Sequence, residues 1–445
     1  MDLRLNIISL IGVYVFCFLA WTLSNDKKNI PWNTIKWGLG TQFFLSFLFL
    51  SFPFFFSIFS HLVSFFSYFY TIPFGYGSIK DFSSLDILFS IYKDTGNFHS
   101  YVSLLFIGII FLGLSYTKVY KNIIRFLSKL SQKSFVISGK EAIITLMSPL
   151  FGIESLFIGG MFYKLSPSKL FTITNVILSS SSTLLIIIHS DNLGNIVPNT
   201  KGHLFFASLL SVLSAIIVSK IIFPYNQSNE PTEVISNESN LTIDIFWKGS
   251  ITVSKFLGGA MLGGFIFICF TNLIDGTFQI LGSFREIKVV VNDLWYVALF
   301  KYIKIGISEV FIKLSLKNLI AILLFPMCFL AGVSLEMIEL WRVSLLYSAN
   351  ILGGAMRFSD SIPLFKENIY SDRSILLSIY LINGSFSIGA IGMVFGGFFM
   401  LLEEKPKQFS VILLKIFPAC ILSQFITIAV VGVFDFGNPL LFGRL

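Results

Sequence analysis

Apolar runs of about 20 residues recur along this chain, each long enough to cross a hydrocarbon core as a helix. The first two are residues 5–23 and 38–59, and a third covers 101–117. Further runs lie at 170–190, 203–223, 249–272, 314–332, 375–400 and 409–434. The pattern predicts an all-α polytopic membrane protein with about eight transmembrane helices. Residues 224–246 are the one long hydrophilic linker, and no separate soluble domain is expected. Run 5–23 lacks a small-x-small cleavage site, so it reads as a retained span.

Two runs are interrupted. Residues 141–163 carry Pro149, Gly152 and Glu154. Read as two half-helices meeting at those residues, each arm has about ten residues and reaches the bilayer midplane. Residues 334–358 are broken by Gly353 and Gly354 and carry Asn350 and Arg357, which predicts a second re-entrant hairpin. Residues 118–135 differ again. Ile123, Ile124, Phe126, Leu127 and Leu130 alternate at helical spacing with Lys118, Lys121, Arg125, Lys129 and Lys133, as in a helix lying on a membrane face. Residues 60–100, with FGYGS at 74–78, read as interfacial, and 273–313 as a long surface helix.

An internal repeat is visible. LSPSKLFTITNVILSSSS (165–182) aligns without gaps with YSDRSILLSIYLINGSFS (370–387), pairing Ser166 with Ser371 and Ser182 with Ser387. Each copy opens on a Ser-rich cap and meets small polar residues at mid-span. Loops 24–37, 118–140, 164–169 and 401–408 hold the Lys-rich stretches, so they are placed inside. Then 170–190 runs outward and 375–400 inward. The copies are inverted, both termini face outside, and a solute site is expected between broken helices at the midplane. The units are then a scaffold of spans 1–3 (1–117), a first transport repeat (118–223), a linker with a scaffold span and surface helix (224–313), and a second transport repeat (314–445).

Composition agrees. The chain of 445 residues is 55% hydrophobic and only 13% charged, far below the soluble norm. A formal charge of +8 fits basic cytoplasmic loops rather than nucleic-acid binding. Cys17, Cys269, Cys328 and Cys420 sit singly in apolar segments, so neither disulfides nor a zinc site are indicated. No HExxH, Gly-x-Ser-Gly or paired-acid motif supports an enzyme. The expected place is the inner or plasma membrane.

Among single residues, Glu154 is the sharpest signal. A carboxylate in mid-span is costly and reads as a solute or proton-coupling group, or as one half of an ion pair with Arg357. Glu141, at the interface, reads as a helix cap or a partner of Lys140. Ser179–Ser182, and Asn383, Ser385 and Ser387 beside Gly384, are either cation and solute contacts or packing residues.

The order of features resembles the concentrative nucleoside transporters. LSNDKKNIPWNTIKWGLGTQ (23–42) is similar to their first loop, and SGKEAIITLMSPLFGIES (138–155) to their first hairpin, with Glu141 and Gly152 at the family spacing. LSLKNLIAILLFPMCFLAGVSLE (314–336) and SDRSILLSIYLINGSFSIGAIG (371–392) resemble the stretches around the second hairpin and broken helix. The resemblance implies a nucleoside symporter, a homotrimer, and a Na+ site at Ser148, Phe151, Ser180 and Ser181, where the family Asn is replaced by Ser148. It implies solute contacts at Ile153, Glu154 and Ser155 of the first tip, and at Asn350, Asn383, Ser385 and Ser387. The tips depart from the family. Its Gly-Gln-Thr/Ser-Glu reads Gly152-Ile153-Glu154-Ser155 here, its Asn-Glu-Phe leaves only Asn350, and its later Asn and Ser positions hold Ser387 and Ala390. A symporter of another small polar solute, or a non-transporting receptor on the same fold, therefore stands beside the nucleoside reading.

Overall fold

The computed structural model describes residues 3–71, 97–115, 117–159, 166–194, 197–224, 243–283, 315–353, 371–402 and 409–437. All regular elements among them are helical. Outside them lie FGYGS, the arm of the second hairpin beyond Gly353 with Arg357, and most of the predicted surface helix.

The chain opens with α1 (Leu3–Thr22), α2 (Trp32–Ser51) and α3 (Phe54–Thr71). The second predicted span was drawn across Pro53, but the chain turns there by 103°. Proline lacks the N–H that a continuing helix needs and forces the preceding residue out of helical geometry, here Phe52 at φ −124° and ψ 81°. α4 (Asn97–Ser115) and the amphipathic α5 (Lys118–Ser134) follow as expected.

α6 (Gly139–Phe151) leads into a tight turn at Gly152–Glu154 and the single helical turn α7 (Ser155–Ile158). By length and composition Gly139–Ile158 could cross a membrane. It does not run straight, because Gly159 folds back so closely that a Cβ there would lie 2.8 Å from Ile144 Cγ1. In a continuous helix those residues would be about 22 Å apart.

α8 (Pro167–Ser179) and α9 (Thr183–Leu193) are the halves of the first broken helix, and α10 (Thr200–Ile222) follows. α11 (Ile243–Ser283) is the longest helix described. α12 (Leu316–Leu330) and α13 (Met337–Gly353) pack as a helical pair. α14 (Asp372–Leu381) and α15 (Ile388–Leu401) are the second broken helix, and α16 (Phe409–Phe434) closes the chain. Among the described residues six helices are long and apolar enough to cross a membrane, or seven with the bent α2–α3 pair.

The two broken helices are built alike. Ser166 and Ser371 cap α8 and α14 by accepting from the N–H of Lys169 and Ser374. Ser182 and Ser387 cap α9 and α15 by accepting from Leu185 and Ala390. These are the positions that the sequence repeat pairs. Each cap satisfies an N–H that a helix start leaves open, which matters most where no water reaches.

α10 and α16 form the centre. α1, α2, α3, α8 and α14 all pack on this pair. α11 lies along α15 at very close range. A Cβ at Gly263 would strike the Gly392 carbonyl, and one at Gly259 the Gly396 carbonyl. Two Gly-x-x-x-Gly faces, 259–263 and 392–396, thus meet backbone to backbone, as small residues allow inside membranes.

Candidate solute and cation site

The broken helices meet at their gaps. The Ser385 N–H donates to the Ser180 carbonyl at 3.0 Å. The Ser385 hydroxyl donates to the carbonyls of Ile177 at 2.8 Å and Leu178 at 3.3 Å. Ending α8 at Ser179 leaves those carbonyls without helical partners, and Ser385 supplies one. Ser180 and Ser385 also correspond in the sequence repeat, so equivalent residues meet.

Gly384 lets the strands of backbone approach. A Cβ there would collide with Gln424 Nε2 and lie 3.0 Å from the Ser179 carbonyl. Gln424 is itself fixed, donating to that carbonyl at 2.6 Å and accepting from the Ser211 hydroxyl at 3.2 Å. Ser181 donates its N–H to Ser208 Oγ at 2.9 Å, and Ser208 returns a bond to the Ser181 carbonyl at 3.1 Å. With its amide oriented as its neighbours require, Asn383 donates to Leu204 O (2.8 Å) and Ser181 Oγ (3.3 Å) and accepts from Ser208 N–H (2.9 Å). Both of its N–H donors are thereby used within the protein.

The first hairpin delivers its tip to the same gap. Gly152 sits at φ +54°, and a Cβ on it would lie 2.8 Å from Ser182 Cβ. The left-handed turn and the close approach both require glycine. The Ser148 hydroxyl is hydrogen-bonded to the Ser180 hydroxyl. Ser155 donates to the Gly152 carbonyl at 2.6 Å. Phe151 buries its ring edge-on to Phe111 (4.7 Å) and Phe66 (5.5 Å). Glu154 is only 4% exposed, and among the described residues no other side chain pairs with its carboxylate. Ile153 is half-buried.

Of the expected site residues, Ser148, Ser180, Ser181, Asn383 and Ser385 form one bonded cluster, with Gly152 and its neighbours seated on it. Ser387 stands apart as a helix cap. Asn350 lies on α13, 2% exposed, and its Nδ2 finds no partner among the described residues. Oxygen donors of the Ser148 and Ser180 kind suit a hard monovalent cation, and no group of three His, Cys, Asp or Glu suited to a transition metal occurs among the described residues.

Sequence reasoning missed the fasteners around the site. Glu141 does cap α6, accepting from the Ser138 N–H at 2.8 Å, but its other oxygen meets Lys220 at 3.1 Å, with both side chains 1% exposed. Lys220 also reaches Ser168 Oγ at 3.5 Å. A lone Lys inside the apolar run 203–223 was the available signal. At the other end, Arg373 Nε donates to Gly332 O (2.7 Å), Nη2 to Ser9 Oγ and Gly432 O (both 2.9 Å), and Nη1 to Asn6 Oδ1 (2.8 Å) and Asp435 (3.4 Å). Glu339 accepts from the N–H and hydroxyl of Ser371.

Residues 203–432 match the family described as Na+ dependent nucleoside transporter, C-terminus, and residues 11–72 match its N-terminus. No curated protein matches the sequence. Two substituted variants of CNTnw in an outward-facing state share the fold with a TM-score of 0.74 at 18% identity, over 96% of this chain and 99% of theirs. CNTnw in an inward-facing substrate-bound state matches with a TM-score of 0.64 at 18% identity, over 97% of this chain and 98% of that one.

Proposed function

The chain belongs to the Na+ dependent nucleoside transporter family, a family of integral membrane transporters rather than enzymes, and from that premise we propose that it imports nucleosides by alternating access, coupled to Na+ or H+. The observation that carries this reading is the meeting of the Ser180 and Ser385 gaps under the Gly152 tip. Broken helices expose backbone dipoles at mid-membrane, where they hold a small solute and its ion.

In this reading Na+ is cargo, taken by the Ser148 and Ser180 hydroxyls with backbone oxygens at Phe151 and Ser181. The Ser148–Ser180 bond is what an arriving cation would replace. Glu154, Ser155 and Ile153 face the solute from the first tip, and Asn350 donates to it from α13. Ser385 contributes from the second gap, while Ser387, expected there as well, acts as a helix cap. Asn383, with both N–H donors used, positions the site. A second reading, another small polar solute, is favoured by Glu154, since a buried carboxyl with no side-chain partner among the described residues selects for a cargo that can hydrogen-bond to it.

Hydrogen bonds support a moving part larger than the two repeats. Arg373 joins α1 to α14 and α16, Lys415 reaches the Leu23 carbonyl at 2.6 Å, and Gln42 ties α2 to the Leu210 carbonyl at 2.7 Å. Only glycine faces and apolar side chains join α11 to α15 among the described residues. We place α1 and α2 with the repeats, and α4 and α11 as the scaffold. The exposed apolar side of α11 (Leu262, Phe265, Phe270, Leu273) suits a homotrimer contact. Both termini are placed outside.

Uptake of labelled nucleosides into proteoliposomes, with and without a Na+ or proton gradient, tests the function. Gradient-driven accumulation is expected. Absence of uptake for every nucleoside would end the first reading, and accumulation of a different polar solute would establish the second.

A further inference from the structure

The amphipathic helix α5 plays no part in the site, yet its surface is divided in three. At 3.6 residues per turn its residues fall into separate sectors. Tyr120, Ile124 and Ser131 face the protein and are buried. Val119, Ile123, Phe126 and Leu130 are exposed by 69%, 43%, 67% and 62%. Lys118, Lys121, Arg125 and Lys129 line the remaining sector in a row along the helix, three of them exposed and Lys121 half-buried. No Asp or Glu occurs between Thr117 and Lys140. Acyl chains cover the apolar sector of such a helix in a membrane, which brings the basic row level with the head groups.

The helix is also joined to the hairpin. Ser131 donates to the Ile137 carbonyl at 3.1 Å, and Gly139 leaves no room for a Cβ against the Ile124 carbonyl. Between them Val136 is held at φ +54°, a conformation that a branched side chain adopts only when its surroundings impose it. Val136 lies in the short connection between α5 and α6 that these two contacts close.

We propose that α5 is a binding strip for anionic phospholipids. Their phosphodiester head groups would lie along Lys118, Lys121, Arg125 and Lys129, and their occupancy would hold the base of the first hairpin through the Val136 joint. The proposal is independent of which solute is carried, because binding is read without transport. The charges favour this partner. Four cations with no intervening acid would repel a basic surface and gain nothing from a neutral one.

The test uses the full chain in phosphatidylcholine vesicles with and without phosphatidylglycerol. Its readouts are the melting temperature and the lipid retained on purification. Phosphatidylglycerol is expected to raise the melting temperature and to be retained selectively. Each Lys→Gln or Arg→Gln change in the row should weaken retention about fivefold. Replacing the three lysines by Arg should preserve it. Val136→Gly should still retain the lipid but lose most of the thermal response. Equal retention by the wild type and the four-Gln variant would overturn the proposal. So would a wild type indifferent to phosphatidylglycerol. If the four-Gln variant does not fold, Arg125→Gln and Lys129→Gln singly give the same comparison.

Discussion

Lys220 carries a positive charge deep in the protein, and it is tolerable there because Glu141 meets it at 3.1 Å and Ser168 at 3.5 Å. Removing one partner leaves the other charge buried alone. Lys220→Met should therefore destabilise by about 3–5 kcal/mol, and adding Glu141→Gln should recover much of that loss. Thermal unfolding of the single and double variants checks it, and equal melting of all three forms would show the pair to be idle. Glu154 makes the opposite case, being buried without a side-chain partner among the described residues. Glu154→Gln removes a buried carboxyl while keeping the shape, so stability should hold or rise while uptake falls at least about tenfold. Unchanged uptake would remove Glu154 from the solute site. These residues also mark what sequence reading can reach. Glu154 and the serines stood out because they interrupt an apolar run. That Asn383 is spent on Leu204, Ser181 and Ser208 could not be read, because its partners lie far away in the chain.

At the level of elements, the caps are the informative feature. Ser182 and Ser387 begin α9 and α15 at corresponding places, each accepting a first-turn N–H. Ser182→Ala and Ser387→Ala should each cost about 0.5–2 kcal/mol, with near-additive effects. Ser182→Ala should also lower uptake, since Gly152 rests on Ser182, whereas Ser387→Ala should affect stability more than uptake. Melting temperatures beside initial uptake rates separate the two roles. Serines at matching spacing made both broken helices legible in the sequence, as hydrophobic periodicity did for α1, α10 and α16. The bend at Pro53 was missed because the Phe-rich run continues on both sides, so hydropathy carries no sign of a turn that backbone geometry dictates.

For the whole molecule, the decisive matter is which helices travel together. Polar fasteners resist sliding, because each broken bond leaves a buried donor or acceptor unsatisfied. α1 is held at one end by the Arg373 cluster and at the other by Lys415. The α11–α15 contact shows no such bonds among the described residues; Gly259 and Gly263 meet Gly392 and Gly396, flanked by apolar contacts such as Phe256 with Gly397 and Ile268 with Gly389. A contact without hydrogen bonds leaves no buried donor or acceptor unsatisfied when it shifts, whereas breaking the α1 contacts does. Paired cysteines in a background lacking Cys17, Cys269, Cys328 and Cys420 test this directly. Asn6→Cys with Asp435→Cys places a cross-link where Asn6 Nδ2 already reaches the Asp435 carbonyl at 3.2 Å. It should leave uptake near normal, because both residues belong to one moving body. Ile268→Cys with Gly389→Cys joins α11 to α15, where a Cβ at Gly389 would lie 3.0 Å from Ile268 Cγ1. Oxidation there should stop uptake, and reduction should restore it. If the second cross-link is harmless and the first one blocks, α1 belongs to the scaffold and α11 moves with the repeats.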